Sequence, residues 1–218
     1  MLPGIAVPDM IRRGLGLAAR GAGDWCELYR ARSAAAPIVP QNRILMLPAA
    51  FVAVGNPAAP VAYGRALWAG IFDYGYTQPG DYLVGADGVF FIASAPRLGP
   101  VLCVKTNRTL TLTRPAAPVL AGLGRYGGVL ASETVTLATD WPGSVLGSKR
   151  DGGRGALPGD APGVPGGAGG WEMLLPAMPN VLLRPGDLVS DEIGRSAVLL
   201  VTELTELGWR LFARQAGS

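Results

Sequence analysis

The pattern of apolar and polar positions changes character along the chain. Near the start, Met10, Ile11, Leu15 and Leu17 recur at helical spacing up to Ala19, with Asp9 placed to cap them. Gly14, Gly16, Gly21 and Gly23 weaken that helix. The pattern suits an arm ordered by contact with something else, or a helix packed on its own domain. From 33 to 78 the apolar stretches are short and cut by Pro and Gly. Beyond them the period becomes two. Asp81-Tyr-Leu-Val84, the turn Gly85-Ala-Asp-Gly88 and Val89-Phe-Phe-Ile-Ala-Ser94 predict a hairpin. Val101 to Lys105 predicts a strand, and Thr109-Leu-Thr-Leu-Thr113 alternates as a half-buried strand should. The stretch 143–170 is rich in Gly and Pro and predicts a long loop or linker. After it, Met173-Leu-Leu predicts a short strand, and Val198–Thr205 with Trp209–Arg214 predicts a second hairpin around Glu206-Leu-Gly208.

Two stretches echo each other. Pro79-Gly80-Asp81 is followed by Leu83 and Gly88, and Pro185-Gly186-Asp187 by Val189 and Gly194. Pro fixes φ, Gly accepts positive φ, and Asp bonds nearby backbone N–H groups, so each copy is a turn into a strand. Two copies suggest two related β units, as separate barrels or as halves of one. The expected fold is therefore mainly β: a small barrel or sandwich of one or two related units, with an N-terminal helical arm and a long Gly/Pro-rich loop. The expected division is an arm at 1–32, a first β unit at 33–142, the loop at 143–170, and a second unit at 171–218 that completes the β core.

Composition narrows the function. The chain has 218 residues, 49% of them hydrophobic and only 16% charged. Average soluble domains carry about 25% charged residues, so part of this surface is expected to be covered by other chains. The 32 Gly and 19 Pro favour turns and short strands over long helices. The net charge of +3 is too small to suggest a nucleic-acid binder by itself. No apolar run reaches the ~20 residues that span a bilayer. No secretion signal is recognisable, so a soluble protein made in the cytoplasm is expected.

The absence of histidine excludes Ser-His-Asp and Cys-His catalysis and His-ligated metals. Cys26 and Cys103 sit among apolar residues and read as buried free thiols. Asp81 and Asp187 could pair as catalytic carboxylates, but each follows Gly and neither carries the Asp-Thr/Ser-Gly pattern. Lys105 and Lys149 are the available bases for Ser-Lys chemistry, and no nucleophile motif accompanies either. Asp187, Asp191 and Glu192 could hold a cation, though acidic turn residues are usually only solvated. No catalytic residue, cofactor or metal is assigned. The residues singled out are aromatic: Trp25, Tyr29, Trp68, Tyr74, Tyr76, Trp171 and Trp209, which serve either an interface or a core.

The segments Tyr76-Thr-Gln-Pro-Gly-Asp-Tyr-Leu-Val84, Phe90-Phe-Ile-Ala93, Pro100-Val-Leu-Cys-Val104 and Asn107-Arg108 resemble structural proteins of tailed-phage and prophage morphogenesis clusters. Pro185-Gly-Asp-Leu-Val-Ser-Asp-Glu-Ile-Gly-Arg195 and Glu203-Leu-Thr-Glu-Leu-Gly-Trp-Arg-Leu211 resemble the same group. The likeness is to head-closure and head–tail connector proteins and covers roughly residues 9–32, 63–114 and 171–214. It implies a homo-oligomeric ring at the virion neck, docked on a portal or adaptor and on tail proteins. Mild positive charge would suit a channel through which double-stranded DNA passes. A tail-tube, hub or baseplate barrel is the alternative, and a His-free peptidase a more remote one.

Overall fold

The computed structural model describes residues 7–54, 66–97, 99–115, 134–147 and 170–215. They form helix α1 (Val7–Ala22) and twelve strands: β1 (Asp24–Tyr29), β2 (Arg43–Ala53), β3 (Leu67–Ile71), β4 (Tyr82–Gly85), β5 (Gly88–Ser94), β6 (Val101–Lys105), β7 (Arg108–Pro115), β8 (Thr134–Gly147), β9 (Gly170–Leu175), β10 (Leu188–Asp191), β11 (Ser196–Thr205) and β12 (Gly208–Gln215).

The strands close into two antiparallel barrels, and the second repeats the first. Barrel 1 runs β1-β2-β3-β6-β5-β4 around its circumference, and barrel 2 runs β7-β8-β9-β12-β11-β10. Each strand of barrel 2 has its counterpart six strands earlier. The echo between 79–88 and 185–194 is thus one feature of two whole barrels.

The units are divided differently from the sequence-based expectation. β1 belongs to barrel 1, so only α1 stands apart from the first 32 residues. The barrels meet at Thr106-Asn107, and β7 and β8 belong to barrel 2. The expected boundary at 142 falls within β8, and most of the expected loop lies outside the described residues, with 143–147 ending β8 and Gly170 opening β9. The expected hairpins are both present, as β4–β5 and β11–β12. Asp9 is not the cap: it lies in the first turn of α1, 3.6 Å from Arg12.

Alternation explains the burial. Cys26, Leu28, Phe72, Leu83, Phe90, Ile92, Val101 and Cys103 cluster inside barrel 1. The neighbouring residues Tyr29, Tyr82, Phe91, Ala93 and Val104 point the other way and join the cluster that fills barrel 2. The run Val89-Phe-Phe-Ile-Ala93 is almost wholly apolar because both faces of β5 are covered. Polar bonds pin the same contact. The Tyr82 hydroxyl donates to the Pro142 carbonyl at 2.7 Å, and the Trp141 indole N–H donates to the Ala34 carbonyl at 2.8 Å. At the junction, the Asn107 amide both donates to and accepts from the Val145 backbone, at 2.9 and 2.8 Å.

α1 lies on barrel 1, against β2 and β3. Ala19 is its one fully buried residue. Gly16 permits this contact, since a Cβ there would stand 3.0 Å from the Asp73 Cβ. Gly14 and Gly21 have no such reason, because nothing lies within 4 Å of a Cβ at either position.

Candidate interaction surface

The repeated turn carries the same set of buried polar contacts twice. In barrel 1, Asp81 is 1% exposed and accepts two bonds from Arg30, Nε at 2.8 Å and Nη2 at 2.7 Å. In barrel 2, Asp187 is 2% exposed and accepts from Arg114 Nε at 2.7 Å and Nη2 at 2.9 Å. Each arginine also donates to a backbone carbonyl, of Tyr76 or Leu182. Each aspartate also accepts from the backbone three residues earlier, Gln78 N at 2.9 Å or Arg184 N at 2.8 Å. Gly80 and Gly186 have φ of 93° and 94°, which an L side chain rarely adopts. Pairing with the carboxylate raises the pKa of both arginines above the ordinary value, against the opposing effect of burial.

This geometry gives the two aspartates a structural task. They sit in different barrels, each clasped to its own arginine, and are not brought together as a catalytic pair. Lys105 is likewise engaged, its Nζ over the rings of Trp68 at 5.3 Å and Phe90 at 5.5 Å. Asp187, Asp191 and Glu192 face three different arginines: Arg114, Arg195 at 2.6 Å and Arg108 at 3.8 Å. Among the described residues no group of three or more acidic, Cys or His side chains converges on one point. Burial pushes the thiol of Cys26 up to about 11 and that of Cys103 up to about 12, so neither is a thiolate near neutral pH. Lys149 lies outside the described residues.

The singled-out aromatics divide sharply. Tyr29 and Trp209 are core. Trp68, Tyr74 and Trp171 are half-buried; Trp68 meets Phe90 edge-on and Trp171 lies under the Arg195 guanidinium. Trp25 and Tyr76 remain in solvent, 66% and 70% exposed. These two converge on one cleft of about 440 Å³, with Leu17 and Arg20 of α1 and Met46 of β2 also on its walls. Leu17 is 66% exposed and Met46 is exposed too. The sequence reading missed the helical contribution. Met10, Arg13, Leu17 and Arg20 follow at spacings of three, four and three, which places them along one stripe of α1, opposite the buried Ala19.

Comparison with known proteins found no family model, no curated protein and no solved structure that matches the chain.

Proposed function

We propose that the chain is a structural protein of a tailed-phage particle, forming a ring at the head–tail junction and acting by docking, not by catalysis. The observation that carries the reading is the exposed apolar cleft of Leu17, Trp25, Met46 and Tyr76. Aromatic and Met side chains gathered at one open site are the usual anchors of protein interfaces. Two barrels joined through Thr106-Asn107 and sharing buried side chains suit a subunit that holds its shape in a ring. The tailed-phage setting rests on the resemblance of the Pro-Gly-Asp segments and their following strands.

The tandem duplication favours a second reading, a tail-tube, hub or baseplate barrel protein. A ring of such chains presents twice as many like barrels as it has subunits, which suits contact between rings of different symmetry.

The test is the mass of the purified protein in solution, alone and mixed with the portal and with the tail proteins from the same gene cluster. A closed oligomer or a stable portal complex is expected. Binding to tail proteins but not to portal supports the second reading. A monomer that binds neither overturns both.

A further inference from the structure

Among the described residues, two groups of charge without ion-pair partners have opposite sign and each lies beside exposed apolar residues. The first is the α1 cleft. Arg13 and Arg20 line it with Leu17, Trp25, Met46 and Tyr76, and among the described residues neither arginine has an ion-pair partner. Arg12, Arg30, Arg43, Arg108, Arg114, Arg195 and Arg210 are paired, while Arg32, Arg97 and Arg184 share with these two the lack of an ion pair among the described residues. The second group is the tip of the β11–β12 hairpin. Glu203 and Glu206 are exposed there, also without a partner among the described residues, beside Leu204 (52% exposed) and the exposed Leu207.

The tip lies beyond the end of β10. β10 pairs with β11 only over Ser196–Val198, so from Val201 to Thr205 the strand has a neighbour on one side alone, β12. β12 stays paired with β9 as far as Trp209, and Glu203, Glu206 and Leu207 border a cleft with Leu67, Phe91 and Val104 of barrel 1, while Leu204 is 52% exposed. The spacings also agree. Arg13 and Arg20 are two helical turns apart, about 10 Å along the axis. Glu203 and Glu206 span up to about 10 Å of extended chain.

We infer that the hairpin tip of one copy docks in the α1 cleft of the next. Leu204 and Leu207 fill the apolar floor, and Glu203 and Glu206 reach Arg13 and Arg20. This deepens the self-association reading above and rests on it. The contact joins two different surfaces, so it is head-to-tail: each copy offers a tip to one neighbour and a cleft to the other. A chain of such contacts closes into a ring when the rotation permits.

Two variants test it: L204D/L207D on the tip and L17D/W25D in the cleft, each checked for an unchanged circular-dichroism spectrum and melting temperature. Mass is measured in solution, and on portal if the wild type assembles only there. Each variant alone is expected to be monomeric. Their equimolar mixture is expected to form a complex of two chains and no larger, because one copy keeps its cleft and the other its tip. Reversing the charges on one side, R13E/R20E or E203R/E206R, is expected to weaken assembly by about tenfold or more, and the double reversal to restore it. If the wild type assembles and the tip variants assemble equally well, this inference fails and the self-association reading stands. If the wild type is monomeric alone and with portal, both fail.

Discussion

Barrel 1 closes around rings and thiols: Phe72 and Phe90 with Cys26 and Cys103, and Phe51 stacked on Phe90 at 3.7 Å between ring centroids. Barrel 2 closes mainly around aliphatic side chains, Leu110, Leu112, Met173, Leu175, Leu199 and Leu211, with Trp141 and Trp209 added. Both interiors hold aliphatic residues, among them Leu28, Leu83 and Ile92 in barrel 1, and differ in their large and sulfur-bearing side chains, while strand order, turn and Arg–Asp clasp recur almost atom for atom. Core residues can be exchanged for others of similar volume at modest cost. A buried carboxylate cannot be left without its partner. What the barrels still share is thus what each needs in order to close, and what differs is what each could repack.

The sharpest way to break this comparison is to remove the clasp from one barrel at a time. Arg30→Ala strands Asp81, and Arg114→Ala strands Asp187. Each is expected to cost about 3–5 kcal/mol, because a buried charge loses its partner. Chemical denaturation measures the loss. Thiol labelling assigns it, since both cysteines are buried in barrel 1. Arg30→Ala should speed labelling more than Arg114→Ala does. Equal labelling rates would mean that the barrels open as one unit.

Tyr82→Phe removes the hydroxyl bond to the Pro142 carbonyl and leaves that carbonyl buried and unsatisfied. A loss of about 1–2 kcal/mol is expected. In calorimetry the wild type is expected to unfold in one peak, and the variant in a broader or split one as the two barrels uncouple.

A smaller difference concerns acid. Asp191 in barrel 2 faces Arg195, while the corresponding positions of barrel 1, counted from each Pro-Gly-Asp turn, are Gly85 and Val89. Burial alone would raise the Asp191 pKa. Hydrogen bonds from the Arg195 side chain and backbone outweigh it, and the pKa lies below the ordinary value. A carboxylate depressed on folding stabilises the fold above its unfolded pKa, about 3.9, and loses that contribution as pH falls through the folded value. Acid should therefore loosen the β10–β11 turn, and Asp191→Asn should remove this part of the acid response while leaving β4–β5 unchanged. Amide exchange at pH 5 and pH 3 would show it. Least of all, Gly14→Ala is expected to stabilise α1 by about 0.5–1 kcal/mol, since open space surrounds that position; a higher melting temperature would register it.

Much of the β architecture was legible because its strands follow simple rules. β4, β5, β7, β11 and β12 alternate or run apolar between clear turns, and the Pro-Gly-Asp repeat correctly pointed to related units. Other strands were hidden by residues that usually argue against strands. Pro48 stands inside β2, before the stretch Ala50–Ala53 that β3 covers. Pro142 stands inside β8, where the pairing with β7 shifts register and Asp140 takes a positive φ of 55°. Proline is tolerated at edges and bulges, and neither context can be read without knowing the neighbouring strand. The boundary between units was drawn at the Gly- and Pro-rich stretch that begins at 143, away from the junction at Thr106-Asn107. At the surface, aromatic content located Trp25 and Tyr76 but could not separate them from Tyr29 and Trp209. Exposure depends on which side of a strand faces the other barrel. The stripe on α1 was available from spacing alone, and it was masked by reading that helix only for its apolar residues.

The doubly covered strand β5 bears on how this chain can change over evolutionary time. Two barrels born by duplication would at first have been separable, each with a wet outer wall. With Tyr82, Phe91, Ala93 and Val104 that wall is shared interior, so the halves are not independent. Cutting the chain after Lys105 would now bare that apolar wall to water. The repeat is visible in topology, while neither half can be cut free without exposing this wall.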